Sequence, residues 1–342
     1  MRFNPPYIYT AAELEEYFLG IYKATEAKSP SVEPGVERLR RLEAARIRRA
    51  SKALEEALRS MAYSMPFLSD LHPFYRELLD LAIGAAGYKH ALARVGRAVR
   101  AVRAISREAL LALKTAYDKD QIYRIRKSFI GRTIDLIDNL EDELELIKKA
   151  SVYIRKLPDI DPELFTIVVS GAPNVGKSSL VGCMSTAKPK VAEYPFTTKQ
   201  IHVGHIFLRG DRVQVIDTPG LLDRPFEEMN AIERQAVLAL RHLAKVIIFV
   251  VDPTPHGGYS LEMQIRLYKN IKSSFDAPVV PVLNKIDIAS GDEIRRAEEA
   301  LGGELPKIAA ARCEGVAELT RQILEKYYVP QALEALRASR RA

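Results

Sequence analysis

At 342 residues the chain has room for two domains, and its 47% hydrophobic and 28% charged residues place it among globular proteins. Its two cysteines exclude a small disulfide-stapled module, and no apolar run approaches the ~18 residues of a membrane-spanning helix, so no membrane partner is expected. The net charge of +7 is uneven: residues 1–160 carry +6, and within 38–132 there are 21 Lys and Arg against 9 Asp and Glu, a field that favours an anionic partner such as nucleic acid.

The amino terminus, Met1-Arg2-Phe3-Asn4-Pro5-Pro6, lacks the apolar stretch of a secretory signal, so a cytoplasmic protein is expected. From residue 10 to about 157 the apolar spacing is helical, clearest where Leu92, Val95, Val99, Val102, Leu110 and Leu113 recur every three or four residues. Ser29-Pro30, Glu33-Pro34-Gly35 and Met65-Pro66 break the pattern, and Ile134, Ile137, Leu140, Leu144, Ile147 and Ile154 predict a last long helix. Pro158 and Pro162 end it, so an all-helical domain is expected over 1–160. Short β-rich runs follow at 164–170, 202–208, 213–217, 246–252 and 278–283, separated mostly by helix-length amphipathic segments. That alternation predicts a doubly wound α/β domain over 161–330, followed by a tail at 331–342. The runs 202–208 and 212–217 are joined by three residues, too few for a crossover, so one strand of the mostly parallel sheet should be antiparallel. Cys183 and Cys313 have no ligand-like neighbours and read as two small packing residues, and His202 and His205 should face opposite sides of a strand, against a zinc site.

The chemistry concentrates in the second half. Gly171-Ala172-Pro173-Asn174-Val175-Gly176-Lys177-Ser178, continued by Ser179, follows an apolar strand and opens a helix, the context in which a glycine-rich loop turns its N–H groups onto phosphates. Lys177 would reach the β and γ phosphates, and the Ser178 hydroxyl would ligate Mg2+. Asp217-Thr218-Pro219-Gly220 ends a second strand, where Asp217 can hold the same ion and the Gly220 N–H can meet a γ phosphate. Tyr194-Pro195-Phe196-Thr197-Thr198-Lys199 lies between them, with hydroxyls that could close over that phosphate. Base identity is expected from Asn284-Lys285-Ile286-Asp287. Asp287 can accept from guanine N1–H and the exocyclic amine, while adenine would leave it unpaired. Asn284 would tie this loop to the phosphate loop, and the stem of Lys285 would pack on the base. At Ala309-Ala310-Ala311 the expected serine is missing, leaving the Ala310 N–H as the donor to guanine O6 beside Ala311. Leu221 stands where a water-orienting glutamine is often found, and Asn174 could hold a monovalent cation by the phosphates or cap the loop.

These motifs, in this order, resemble the translation-factor-related GTPases. More specifically, Leu157-Pro158-Asp159-Ile160-Asp161-Pro162, the phosphate loop, Phe196-Thr197-Thr198-Lys199, the stretch Asp217–Pro225 and Gly257-Gly258-Tyr259-Ser260-Leu261-Glu262 look like the nucleolar GTP-binding protein family within the Obg group. The resemblance runs from about residue 3 to 330. It implies a P-loop GTPase domain behind a helical domain that docks on ribosomal RNA, and a role in assembling the large ribosomal subunit. It also implies Thr198 as the Mg2+ ligand of the first switch, Leu221 as a mark of GTPases that lack the catalytic glutamine, and potassium-dependent hydrolysis supported by Asn174. The family's eukaryotic members carry a long carboxyl-terminal extension that this sequence does not show, so an archaeal-type cytoplasmic protein is expected.

The function expected is a GTP-hydrolysing switch, with Lys177, Thr198 and Asn174 at the reaction centre, Mg2+ and K+ as cofactors, and GTP/GDP, ribosomal RNA and large-subunit precursors as partners. The alternative is a nucleotide-gated binding module with negligible hydrolysis. A GTPase of RNA modification would need a modification domain that the sequence does not show. For RNA, Arg94, Arg97, Arg100, Arg103 and Arg107 step by three or four residues opposite the apolar stripe, with no acidic residue between Lys89 and Arg107. Arg124, Arg126 and Lys127 follow, and Tyr123 and Phe129 could stack on bases; no DNA partner is expected. Pairing of these arginines with acids elsewhere, such as Glu141–Glu145, is the alternative.

Overall fold

The computed structural model describes residues 5–26, 35–195, 200–208, 210–218, 221–223, 228–255 and 258–333. Six helices come first: α1 (Ala11–Ala24), α2 (Gly35–Tyr63), α3 (Pro73–Ile83), α4 (Ala85–Thr115), α5 (Lys119–Asp138) and α6 (Glu141–Lys156). The chain divides into two compact units, one of residues 3–71 and 82–155 and the other of residues 1–2, 72–81 and 156–342.

The helical unit is built from α1, α2, α4, α5 and α6. Thr10 and Glu13 close a capping box at the start of α1: Glu13 N–H donates to Thr10 Oγ1 at 3.2 Å and Thr10 N–H to Glu13 Oε2 at 2.8 Å. Asp118 caps α5 by accepting from Gln121 N–H at 2.7 Å. Leu14 and Phe18 of α1, Leu54 and Leu58 of α2, Val95 and Val99 of α4 and Leu144 and Ile147 of α6 are buried, the one-sided burial that the helical spacing requires.

Most of α3 belongs to the other unit, although the sequence pattern groups it with the helices around it. Tyr75 Oη donates to Pro158 O at 3.1 Å and Ile160 O at 2.5 Å, and Glu77 meets His242 Nε2 at 2.7 Å. These partners lie far along the chain, which is why helical periodicity alone does not assign α3.

The second unit holds a six-stranded sheet of β1 (Thr166–Ser170), β2 (Lys190–Glu193), β3 (Gln200–Leu208), β4 (Asp211–Asp217), β5 (Ala244–Val251) and β6 (Val279–Leu283) in the order β2-β3-β4-β1-β5-β6. β1 pairs in parallel with β4 and β5, and β5 with β6, while β3 runs antiparallel to both of its neighbours. Strand β2 is absent from the sequence reading because Lys190-Val191-Ala192-Glu193 is short, mostly exposed and carries no apolar run. Helices α7 (Lys177–Met184), α8 (Ala231–Leu238), α9 (Leu261–Ser274), α10 (Gly291–Leu301) and α11 (Val316–Ile323) complete the fold. Ile167, Val169, Val246, Ile248 and Val250 of the central strands share a core with Leu180 and Val181 of α7 and Leu319 of α11. Strands covered on both faces are near-continuous apolar runs, as β1 and β5 are.

Cys183 and Cys313 form a disulfide, correcting the reading of them as separate packing residues. Their Cα atoms are 5.5 Å apart although 130 residues separate them in sequence, because the fold brings the loop before α11 against α7.

Candidate functional site: a phosphate loop joined to a base loop

The loop 171–176 leaves the carboxyl end of β1 at the centre of the sheet and enters α7 at Lys177. Two of its glycines are required by close approach. At Gly171 (φ +142°) a Cβ would lie 2.4 Å from Val250 O, and at Gly176 (φ +98°) it would lie 2.2 Å from Asn284 Nδ2. Asn174 holds φ +62° without being glycine, a conformation asparagine tolerates, and the residue is exposed.

Lys177 is buried and its Nζ donates to Gly171 O and Ala172 O, both at 2.8 Å. Burial lowers its pKa, while the carboxylates of Asp223 and Asp217 act in the opposite direction. Ser178 Oγ donates to Asp217 Oδ2 at 2.5 Å, so the two candidate Mg2+ ligands meet at one point. His202 Nδ1 lies 3.1 Å from the same carboxylate oxygen, a neighbour the sequence does not announce because it comes from antiparallel pairing of β3 with β4. Asp217 Oδ1 is buried with no hydrogen-bond partner. A buried carboxylate oxygen without a donor, whose sister oxygen accepts from a serine hydroxyl, fits a divalent cation that prefers oxygen ligands. Thr198 and Gly220 lie outside the described residues, as do Phe196, Thr197, Lys199 and Pro219. Leu221 is fully buried, so its side chain belongs to the core.

The base loop is fastened to the phosphate loop by Asn284. Its Nδ2 donates to Val175 O at 2.7 Å, and its Oδ1 accepts from Ala310 N–H at 2.8 Å. The second bond corrects one expectation: the Ala310 N–H meant for guanine O6 is taken by Asn284, and Ala311, exposed and next in the chain, follows it. Lys285 (φ +60°) pairs with the buried Asp252 carboxylate at the end of β5. Asp252 is itself fixed by Thr254, whose N–H (2.9 Å) and Oγ1 (2.7 Å) donate to Oδ1, and its backbone by Gln264. Asp252, Thr254 and Gln264 are additions to the sequence reading; their signal was a carboxylate at a strand's carboxyl end, the same logic that singled out Asp217. The Asp287 side chain is only 16% exposed, with Arg312 Nε 3.6 Å from its Oδ2.

On the basic face the residues separate into two groups. Arg94 pairs with Glu143 at 2.7 Å and donates to Asn139 O at 2.9 Å, Arg103 pairs with Glu55 at 2.5 Å, and Arg126 lies 4.0 Å from the buried Glu43. For these the alternative of pairing with acids on other helices is the one realised, because α6 and α2 place Glu143, Glu55 and Glu43 against them. Arg97, Arg100, Arg107, Arg124 and Lys127 are exposed and make no ion pair among the described residues. Tyr123 is exposed, but Phe129 is buried with its ring 5.8 Å from Phe18 and 6.1 Å from Tyr22, so it cannot stack on a base.

A mostly parallel sheet whose central strand feeds a lysine-bearing glycine loop, joined to an Asn-Lys-Ile-Asp loop beyond the next strand but one, defines a P-loop GTPase fold. Residues 12–161 match the model of the NOG1 N-terminal helical domain and residues 231–287 that of nucleolar GTP-binding protein 1. The chain belongs to the nucleolar GTP-binding protein 1 family. It is 32% identical to nucleolar GTP-binding protein 1 of Saccharomyces cerevisiae, over 94% of this chain and 52% of that protein. It is 34% identical to an uncharacterized protein of Methanocaldococcus jannaschii, over 77% of this chain and 73% of that protein. A crystal structure from Plasmodium falciparum, described as nucleolar GTP-binding protein 1, is 35% identical with a TM-score of 0.45, covering 54% of this chain and 97% of that one. The chain spans about half the length of the curated yeast relatives it matches. Their names correct the expectation of a cytoplasmic protein: the curated eukaryotic relatives are nucleolar by name.

Proposed function

We propose that this chain is a guanine-nucleotide switch that hydrolyses GTP slowly and docks through its helical domain on RNA of the large ribosomal subunit. The observation that carries the reading is the Asn284 joint, which holds a phosphate-binding loop and a guanine-type recognition loop in one fixed relation. In hydrolysis a water attacks the γ phosphate in line with the leaving β–γ bridge oxygen. Lys177 exchanges the Gly171 and Ala172 carbonyls for the β and γ oxygens and, with the loop amides, neutralises charge that grows in the transition state. Ser178 and Asp217, with Thr198, would hold Mg2+, which when bound supplies charge neutralisation at the phosphate oxygens.

Leu221 is buried and its side chain cannot hydrogen-bond a water, which supports slow hydrolysis assisted by a partner or by a monovalent cation beside Asn174. The same observation favours, as second reading, a nucleotide-gated binding module with negligible turnover. For the RNA half, the support is the set of exposed cations on α4 and α5 that make no ion pair among the described residues, together with the resemblance to a ribosome-assembly family. Competition of GTP, GDP, ATP and XTP against a fluorescent GDP analogue, with phosphate release followed in parallel, tests the nucleotide half. Preference for GTP and GDP over ATP by at least about 100-fold supports it. Equal affinity for ATP contradicts it, and binding without phosphate release selects the second reading.

A further inference from the structure

The helical unit contains a groove of about 960 Å³ between the carboxyl-terminal turns of α2, the loop 64–71 and the first half of α4. That is the upper end of the range for pockets that enclose small organic ligands, about 300–1,000 Å³. Its floor is apolar, with Ala62, Leu92 and Val99 buried beneath it. Two aromatic rings stand in its wall with unusual exposure for large side chains, Tyr63 at 59% and Phe67 at 42%. The wall is fixed: Tyr88, fully buried, donates from Oη to Pro66 O at 2.9 Å and so pins the loop to α4. Tyr63 lies against Gly96, where a Cβ would come within 3.2 Å of its Oη; glycine at this helical position lets the phenol approach α4 closely.

The rim carries the charge. Arg59, Arg97 and Arg100 line the groove, are exposed and have no ion pair among the described residues. They continue into the cations of α4 and α5 already described, so the positive field extends beyond the groove itself. An apolar slot with exposed rings, edged by unpaired guanidinium groups, is complementary to a flat aromatic ligand whose attached backbone is anionic. The apolar floor excludes a purely ionic contact, and the length of the basic edge exceeds what a short acidic peptide needs. We infer that this groove receives an unpaired nucleobase of RNA, stacked on Tyr63 and Phe67, with its flanking phosphates held by Arg59, Arg97 and Arg100. The inference rests on the RNA-docking reading and adds to it a preference: duplex RNA offers phosphates but no free base, so RNA with an extruded or looped base should bind more tightly.

The test uses the full chain and two labelled 20-base-pair RNA hairpins identical except for one bulged adenosine, followed by fluorescence anisotropy at fixed salt. The bulged hairpin should bind about ten-fold more tightly, a stacking-sized effect. Tyr63→Ala should remove that difference while leaving affinity for the perfect hairpin unchanged, and Tyr63→Phe should retain it; Tyr63 is exposed enough for the fold to persist in both variants. Equal affinity of the two hairpins, or a difference that survives Tyr63→Ala, overturns the assignment. If binding to both hairpins then still falls with Arg97→Glu/Arg100→Glu, the RNA-docking reading stands without the groove; if neither hairpin binds, both fail. A labelled acidic amphipathic peptide that binds the groove and is not displaced by the bulged hairpin would assign the surface to a protein segment and likewise overturn the proposal.

Discussion

The phosphate loop and the basic face of α4 are both clusters of positive and polar groups suited to phosphate, yet they are held by different forces. Around the phosphate loop nearly every functional group is fixed through the backbone: Lys177 to two loop carbonyls, Asn284 to Val175 O and the Ala310 N–H, Gly171 and Gly176 by the room a Cβ would fill. Such a site is pre-organised, and losing one member loosens the others. On α4 the groups are held only by the helix that displays them, and each arginine's fate depends on which carboxylate a neighbouring helix presents. Arg94 and Arg103 pair inside the helical unit, whereas Arg97 and Arg100 make no ion pair among the described residues. One region should therefore respond to single substitutions steeply, the other gradually and in proportion to charge.

The steepest response expected is to Lys177→Ala, which removes the loop-phosphate cation. Single-turnover phosphate release should fall by about 1,000-fold, the scale of losing a transition-state charge stabiliser. Asp287→Asn should weaken GTP binding by about 100-fold and shift preference toward XTP, because an amide can donate to the carbonyl oxygen that replaces the guanine amine. Competition binding decides this, and unchanged discrimination removes Asp287 from the base-reading role.

Reduction of the Cys183–Cys313 bond, or Cys313→Ser, should lower stability by about 2–4 kcal/mol, read as a drop in thermal midpoint of several degrees, since it frees a loop of 130 residues in the unfolded chain. The smallest effect is expected from cation exchange: hydrolysis should be a few-fold faster in potassium than in sodium at matched ionic strength, and Asn174→Ala should abolish the difference. Equal rates in wild type would return Asn174 to a purely structural part in the loop.

The same contrast decides what could be read from the sequence. The phosphate and base loops are contiguous strings, and their geometry follows from local rules of glycine conformation and strand-to-helix turns, so their positions were legible. What remained hidden came from distant strands and helices: His202 beside Asp217, Asp252 beneath Lys285, the disulfide, and the Asn284 bond that occupies the Ala310 N–H. The five arginines of α4 were legible as a stripe. That Glu143 and Glu55 would neutralise two of them was not, because carboxylates on α6 and α2 are invisible to the periodicity of α4. Phe129, taken from the pattern as a stacking ring, is core for the same reason: α1 covers it.

The central proposal is that the chain couples a guanine-nucleotide site to RNA docking through the arginines of α4 that make no ion pair among the described residues. Co-sedimentation with large ribosomal subunit precursors across a salt series, with a non-hydrolysable GTP analogue or GDP, tests it most directly. Wild-type protein should sediment with the particles more strongly with the GTP analogue, lose association steeply as salt rises, and lose most of it on Arg97→Glu/Arg100→Glu, while Arg94→Gln, whose partner is Glu143, has a small effect. Equal sedimentation of wild type and the charge-reversed protein, indifferent to nucleotide, would contradict it.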